Sequence, residues 1–135
     1  MKIRRALTDE GNILSGIALR SKAHWGYDNS FIEACREDLT ISEHSISTNN
    51  VYVLEDSSTI IGFFCLVAEG NTGKLDALFI EPDFIGKGYG KILWKTILQK
   101  AKEIGIDEFT IDADPHAEEF YYCYKMFHSC DKVTH

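Results

Sequence analysis

Three glycines at alternate positions, Gly86-Lys87-Gly88-Tyr89-Gly90, stand between an apolar run ending in Ile80-Glu81-Pro82 and a long amphipathic stretch. Glycine carries no Cβ, so successive backbone N–H groups there can turn toward one point. A helix starting at the loop adds unpaired N–H donors and the positive end of its dipole. Together these groups suit a diphosphate held at the helix mouth by the amides of residues 86–91. A Walker-type loop does not fit, because Lys91 follows no GxxxxG pattern and no Ser or Thr comes next. A dinucleotide fingerprint does not fit either, since the spacing is GxGxG and the preceding strands read as hairpins.

The elements that must carry this loop can be read from periodicity. Lys2 to Leu7 reads as a first strand. Thr8 can cap a helix running to about Lys22, with Ile13, Leu14, Ile17 and Ala18 on one face. After the polar-aromatic segment 23–29, Ser30 opens a second helix with Glu33 placed for a capping box. A short helical piece is expected around Ser42 to Ser47. Val51 to Glu55 and Thr59 to Val67 read as strands of a hairpin around Asp56-Ser57-Ser58. The second of them is apolar almost throughout, as a strand covered on both faces should be. A further turn at 69–73 leads to a strand from Lys74 to Ile80, stopped by Pro82. Tyr89 to Ile104 is the strongest helix, with Tyr89, Ile92, Leu93, Ile97, Leu98, Ala101 and Ile104 as its apolar stripe and Gly105 as its terminator. Glu108 to Asp112 should complete a parallel, right-handed crossover, and a last helix is expected from His116 to about Met126. The order is β-α-α-β-β-β-α-β-α. It predicts an α/β (α+β) domain with a mixed, mostly antiparallel sheet and helices on both faces.

Composition narrows the function classes. A chain of 135 residues makes one domain. A formal net charge of −7 argues against a nucleic-acid-binding face, which needs clustered Lys and Arg. No apolar run approaches the roughly 20 residues needed to cross a bilayer, and the N-terminus does not read as a signal peptide. Cys35, Cys65, Cys123 and Cys130 show no CxxC pair or zinc spacing. They read as reduced thiols of a cytoplasmic protein, with Cys65 a small hydrophobe in a buried strand. No His/Cys/Asp spacing argues for a metal.

The run Ile80-Glu81-Pro82-Asp83-Phe84-Ile85-Gly86-Lys87-Gly88-Tyr89-Gly90 resembles the acetyl-CoA-binding motif of the GNAT acetyltransferases, which ends in (Arg/Gln)-x-x-Gly-x-(Gly/Ala). Ala117-Glu118-Glu119-Phe120-Tyr121 resembles their second signature, Ala-x-x-Phe-Tyr. The resemblance spans roughly Lys2 to Tyr124 in element order. Arg20-Ser21-Lys22-Ala23-His24-Trp25-Gly26-Tyr27, with Asp112-Ala113-Asp114-Pro115, also looks like a bacterial GNAT subgroup. Three features depart from the pattern. Ile85 stands where Arg or Gln is usual, and the Gly that usually follows Phe-Tyr is missing. GNAT domains normally finish with two more strands, whereas Phe127 to His135 supply one short strand at most. The C-terminal strands are therefore expected to be short or missing, and a second copy could complete the sheet as a homodimer.

The resemblance implies acetyl transfer from acetyl-CoA to the amine of a small molecule, or of a peptide, by direct attack, with no metal. Phe79 and Ile80 would offer backbone groups to the pantetheine arm. The amides of Gly86, Lys87, Gly88, Tyr89, Gly90 and Lys91 would hold the pyrophosphate. His116 would contact the pantetheine, and Tyr121 would protonate the departing thiolate. Tyr121 fits equally a core tyrosine on a helix face. Asp76, Asp112 or Asp114 would take the proton from the ammonium, or water would. His24, Trp25 and Tyr27, with Asp112, would line the acceptor pocket; the aromatic residues fit equally a loop packed over the core. Two other classes stay open. One is a catalytically degenerate GNAT-like domain that binds CoA or a protein partner, and the other is a mononucleotide-binding protein of another fold.

Overall fold

The computed structural model describes residues 1–24, 28–36 and 39–111. Five strands form one sheet: β1 (Lys2–Arg5), β2 (Asn50–Asp56), β3 (Thr59–Glu69), β4 (Thr72–Ile80) and β5 (Glu108–Ile111). Their spatial order follows the chain, β1-β2-β3-β4-β5, antiparallel up to β4 and parallel between β4 and β5. The helices are α1 (Gly11–His24), α2 (Asn29–Cys35), α3 (Glu43–Thr48) and α4 (Tyr89–Glu103). This is the mixed, mostly antiparallel sheet with helices on both faces that the periodicity predicts. The expected helix from His116 and anything after it lie outside the described residues.

Two apolar layers hold the sheet. On one face Leu93, Trp94, Ile97, Leu98 and Ala101 of α4 pack on Leu54, Phe64, Leu66, Leu75 and Phe109. On the other, Leu14, Ile17 and Ala18 of α1 and Ile46 of α3 pack on Val51, Val53, Phe63, Cys65 and Ala77. β3 is buried along most of its length because it serves both layers. Trp94 belongs to the buried stripe of α4 although sequence reading passed over it, and it meets Phe109 edge-on at 5.9 Å. Ile13 and Ile104, expected on apolar faces, are exposed.

Helix boundaries follow local chemistry. α1 does not begin at Thr8, because Glu10 accepts the Leu7 N–H at 2.8 Å and winds Thr8–Glu10 into a 3₁₀ turn. α2 includes Asn29 and Ser30, and Glu33 pairs with Arg36 instead of closing a capping box. Ser42 caps α3 by accepting the Ser45 N–H at 3.0 Å. α4 ends as Gly105 predicts: Gly105 has φ +85°, Ile106 donates to Ala101 O at 2.8 Å and Gly105 to Lys102 O at 3.2 Å. Among the described residues no helix is long and apolar enough to cross a membrane.

Candidate acyl-transfer site

The loop between β4 and α4 is built by three devices. Pro82 opens a 3₁₀ turn, Pro82–Phe84, in which Phe84 donates to Glu81 O and Ile85 to Pro82 O. Gly86 and Gly88 then adopt φ +84° and +86°, a backbone only glycine enters at no steric cost. Gly88 is the N-cap of α4 and, as a glycine, brings no side chain to cap it. A Cβ at Gly86 or Gly88 would meet no other atom within 4 Å. Among the described residues the mouth of α4 is therefore open space at both glycines, and Gly86, Lys87 and Gly88 are exposed. Phe84 braces the loop: Tyr89 meets it edge-on at 5.8 Å, and the Lys87 ammonium lies 5.7 Å from its ring centre. A helix start preceded by such glycines favours an anion, the chemistry a diphosphate would present.

Beside this loop lies the end of β4, and its parallel neighbour β5 is described as far as Ile111. Pairing with β5 covers Thr72 to Leu75, whereas β4 continues to Ile80. The β3–β4 pairing carries a bulge: Cys65 pairs with Ala77 and Leu66 with Leu75, which leaves Asp76 as the extra residue on β4. From Asp76 onward, β4 has β3 on one side and no described strand on the other. Phe79 and Ile80 are both half-buried there, Phe79 against Phe63 at 5.9 Å and Ile80 against the α4 layer.

The predicted acceptor side is only partly described. Leu75 packs in the α4 layer and Ala77 in the α1 layer, with Asp76 the extra residue between them. Asp76 is exposed, 3.7 Å from the Lys74 ammonium. His24 ends α1 and is exposed. Trp25, Tyr27, Asp112, Asp114, His116 and Tyr121 lie outside the described residues. Two charged residues without a role in the sequence reading meet at this place. Arg20 donates from Nε and Nη2 to the Glu81 carboxylate at 2.6 and 2.8 Å, directly after Ile80. No sequence signal pairs them, being 61 positions apart.

The profile of the acetyltransferase (GNAT) domain matches residues 5–125. The chain belongs to the GNAT family. No curated protein sequence matches it significantly. Among solved structures, this GNAT chain superposes on the PaiA N-acetyltransferase of Thermoplasma acidophilum in complex with coenzyme A, with a TM-score of 0.79 and 23% identity over 91% of this chain and 87% of that one. A GCN5-related N-acetyltransferase of Rhodopseudomonas palustris gives 0.74 and 20%, covering 91% and 79%. One from Ralstonia eutropha JMP134 gives 0.73 and 15%, covering 91% and 90%. At these identities the likeness is one of fold.

Among the described residues, two other chemistries find no support around the GNAT cradle. Among the described residues, no three His, Cys, Asp or Glu side chains gather as metal ligands would. Burial pushes the Cys65 thiol up to about 12, with the Asp76 charge adding to the effect, so it is no nucleophile at neutral pH.

Proposed function

We propose that this GNAT chain is an N-acetyltransferase that moves an acetyl group from acetyl-CoA to the amine of a small molecule or peptide. One observation carries the reading: among the described residues, the left-handed glycines at the mouth of α4 face open space, beside the end of β4 that no described strand covers. Acetyl-CoA needs both features, the amides for its diphosphate and the strand edge for its pantetheine. The amides of residues 86–91 hold the diphosphate, the backbone of Phe79 and Ile80 holds the arm, and His116 contacts it. A backbone N–H near Ile80 steadies the oxyanion, a contribution of about 3–4 kcal/mol for a well-placed donor. Tyr121 gives its proton to the sulfur as the thiolate leaves. Asp76 takes a proton from the acceptor ammonium, with Asp112, Asp114 or water as the other bases. His24, Trp25, Tyr27 and Asp112 shape the acceptor pocket. The chain works in the cytoplasm without a metal.

Fold neighbours have been solved with coenzyme A, among them PaiA and the N-acetylglutamate synthase of Neisseria gonorrhoeae, the latter also with N-acetylglutamate. They support CoA as the ligand class and leave the acceptor to experiment. The test is thiol release from acetyl-CoA with a panel of amines, alongside calorimetric titration of CoA. Tyr121→Phe and Asp76→Asn should each lower kcat about 10²–10⁴-fold while CoA affinity holds. CoA binding without thiol release for any amine would replace the enzyme by a binding domain. Absence of CoA binding would sink both.

A further inference from the structure

Arg20 opens the 20–27 stretch that stands out in the sequence, and none of the roles above uses it. Its guanidinium grips Glu81 with two parallel hydrogen bonds of 2.6 and 2.8 Å. The Glu81 side chain is 20% exposed and that of Arg20 56%. Gly16, one turn earlier on α1, makes room: a Cβ there would meet Arg20 Nη1 at 3.0 Å and Cζ at 3.7 Å, so the guanidinium lies over bare helix backbone. Glu81 is held from its own side too, donating its N–H to Ile61 O at 2.7 Å. Ile80, the last residue of β4, precedes it, and Pro82, the start of the turn into the glycine loop, follows.

We propose that Arg20 is a positioning residue for acyl transfer, with Glu81 as its anchor. The pair ties α1, which carries His24 one turn beyond Arg20, to the corner where β4 passes into the cofactor loop. This role rests on the acetyltransferase reading. A planar fork closes on a carboxylate in few orientations, so the pair fixes both the distance and the rotation of α1 relative to β4. An exposed ion pair adds little to stability. Rate is more sensitive, because displacing one reactant by about 1 Å can cost on the order of a hundredfold. The pair therefore matters through alignment of the acceptor wall with the acyl wall.

The test uses the full chain, acetyl-CoA and any amine the wild type acetylates. Arg20→Gln and Glu81→Gln should each lower kcat about 10–100-fold, with CoA affinity by calorimetry within about twofold. Arg20→Lys should fail to restore the rate, since an ammonium offers no fork. The double variant Arg20→Gln/Glu81→Gln should be no slower than the slower single, the mark of two residues acting as one device. Wild-type kcat in Arg20→Gln, losses that multiply in the double variant, or losses matched by weaker CoA binding would each overturn the role. An active wild type with unaffected variants sinks the positioning role alone. A wild type that binds CoA yet acetylates no amine sinks the transferase reading, and this role with it.

Discussion

Cys65 sits in the middle of β3 with 2% of its surface exposed, and burial in the α1 layer disfavours its thiolate. With the thiol pushed up to about 12, its anion amounts to about one part in ten thousand at pH 8. Mass mapping after brief alkylation of the native protein should therefore leave the Cys65 peptide unlabelled, with labelling appearing only on unfolding; rapid native labelling would contradict the packing. The glycines of the loop make the opposite point, for they face open space. Alanine at Gly88 would clash with nothing, so its cost is conformational: left-handed backbone is worth roughly 1–2 kcal/mol less for a residue with a Cβ. If Gly88→Ala relaxes the loop, the amides turn from their common point. Calorimetry should then show CoA affinity falling about tenfold or more, with the melting temperature lowered by only a few degrees. Unchanged affinity would mean that the amides of this loop do not hold the ligand.

At the scale of elements, Gly62 decides how β4 meets its neighbours. A Cβ there would stand 2.7 Å from Phe79 O and 2.8 Å from Ile80 Cδ1, so the end of β4 must move to admit it. Gly62→Ala should cost about 1–3 kcal/mol in urea unfolding and weaken CoA binding; a neutral result would show that β4 yields freely. The Arg4 cluster ties β1 to β2 and to the turn before α1: its guanidinium donates to Glu10 at 2.8 and 2.9 Å and to Glu55 at 2.9 Å. The hydrogen bonds from Arg4 hold the Glu10 carboxyl below the usual carboxylate range. A depressed pKa contributes stability above the unfolded-state value, and that contribution is lost as pH falls through the folded value. Wild-type stability should thus drop as pH falls from about 5 toward 3. Arg4→Met leaves two carboxylates facing each other, should cost about 3 kcal/mol at pH 7, and should remove or reverse that slope in urea titrations. An unaltered slope would place the titrating group elsewhere. These elements also show what a sequence can and cannot carry. α4 was legible because its stripe, Gly88 and Gly105 act locally, and the hairpins were legible from alternation and turn residues. The bulge at Asp76 was not, because one extra residue leaves no compositional trace. Nor was the start of α1, set by Glu10 reaching back, nor the Arg20–Glu81 pair, which exists only once the sheet and α1 have come together.

For the whole molecule, the sheet and its two apolar layers hold the cradle and the end of β4 in one body, so a ligand spanning both should stabilise the entire fold. The protein carries −7 formal charges, and acetyl-CoA is itself an anion, so long-range attraction cannot drive binding. In the proposed complex the favourable terms are local, from the amides of residues 86–91 and the β4 edge. Binding to the folded state alone contributes about 2.7 kcal/mol when the ligand is at a hundred times its Kd. For a domain of this size, each kcal/mol raises the melting temperature by about 3–4 °C, which gives a shift of about 10 °C. Raising the salt from low to physiological levels should leave that shift intact or enlarge it, because screening weakens the overall repulsion more than the short-range amide contacts. ATP and NAD offer phosphates without a pantetheine arm and should give much smaller shifts. If ATP stabilised the protein as strongly as acetyl-CoA, the β4 edge would contribute nothing to recognition. The helix mouth would then be a general phosphate site on a GNAT fold.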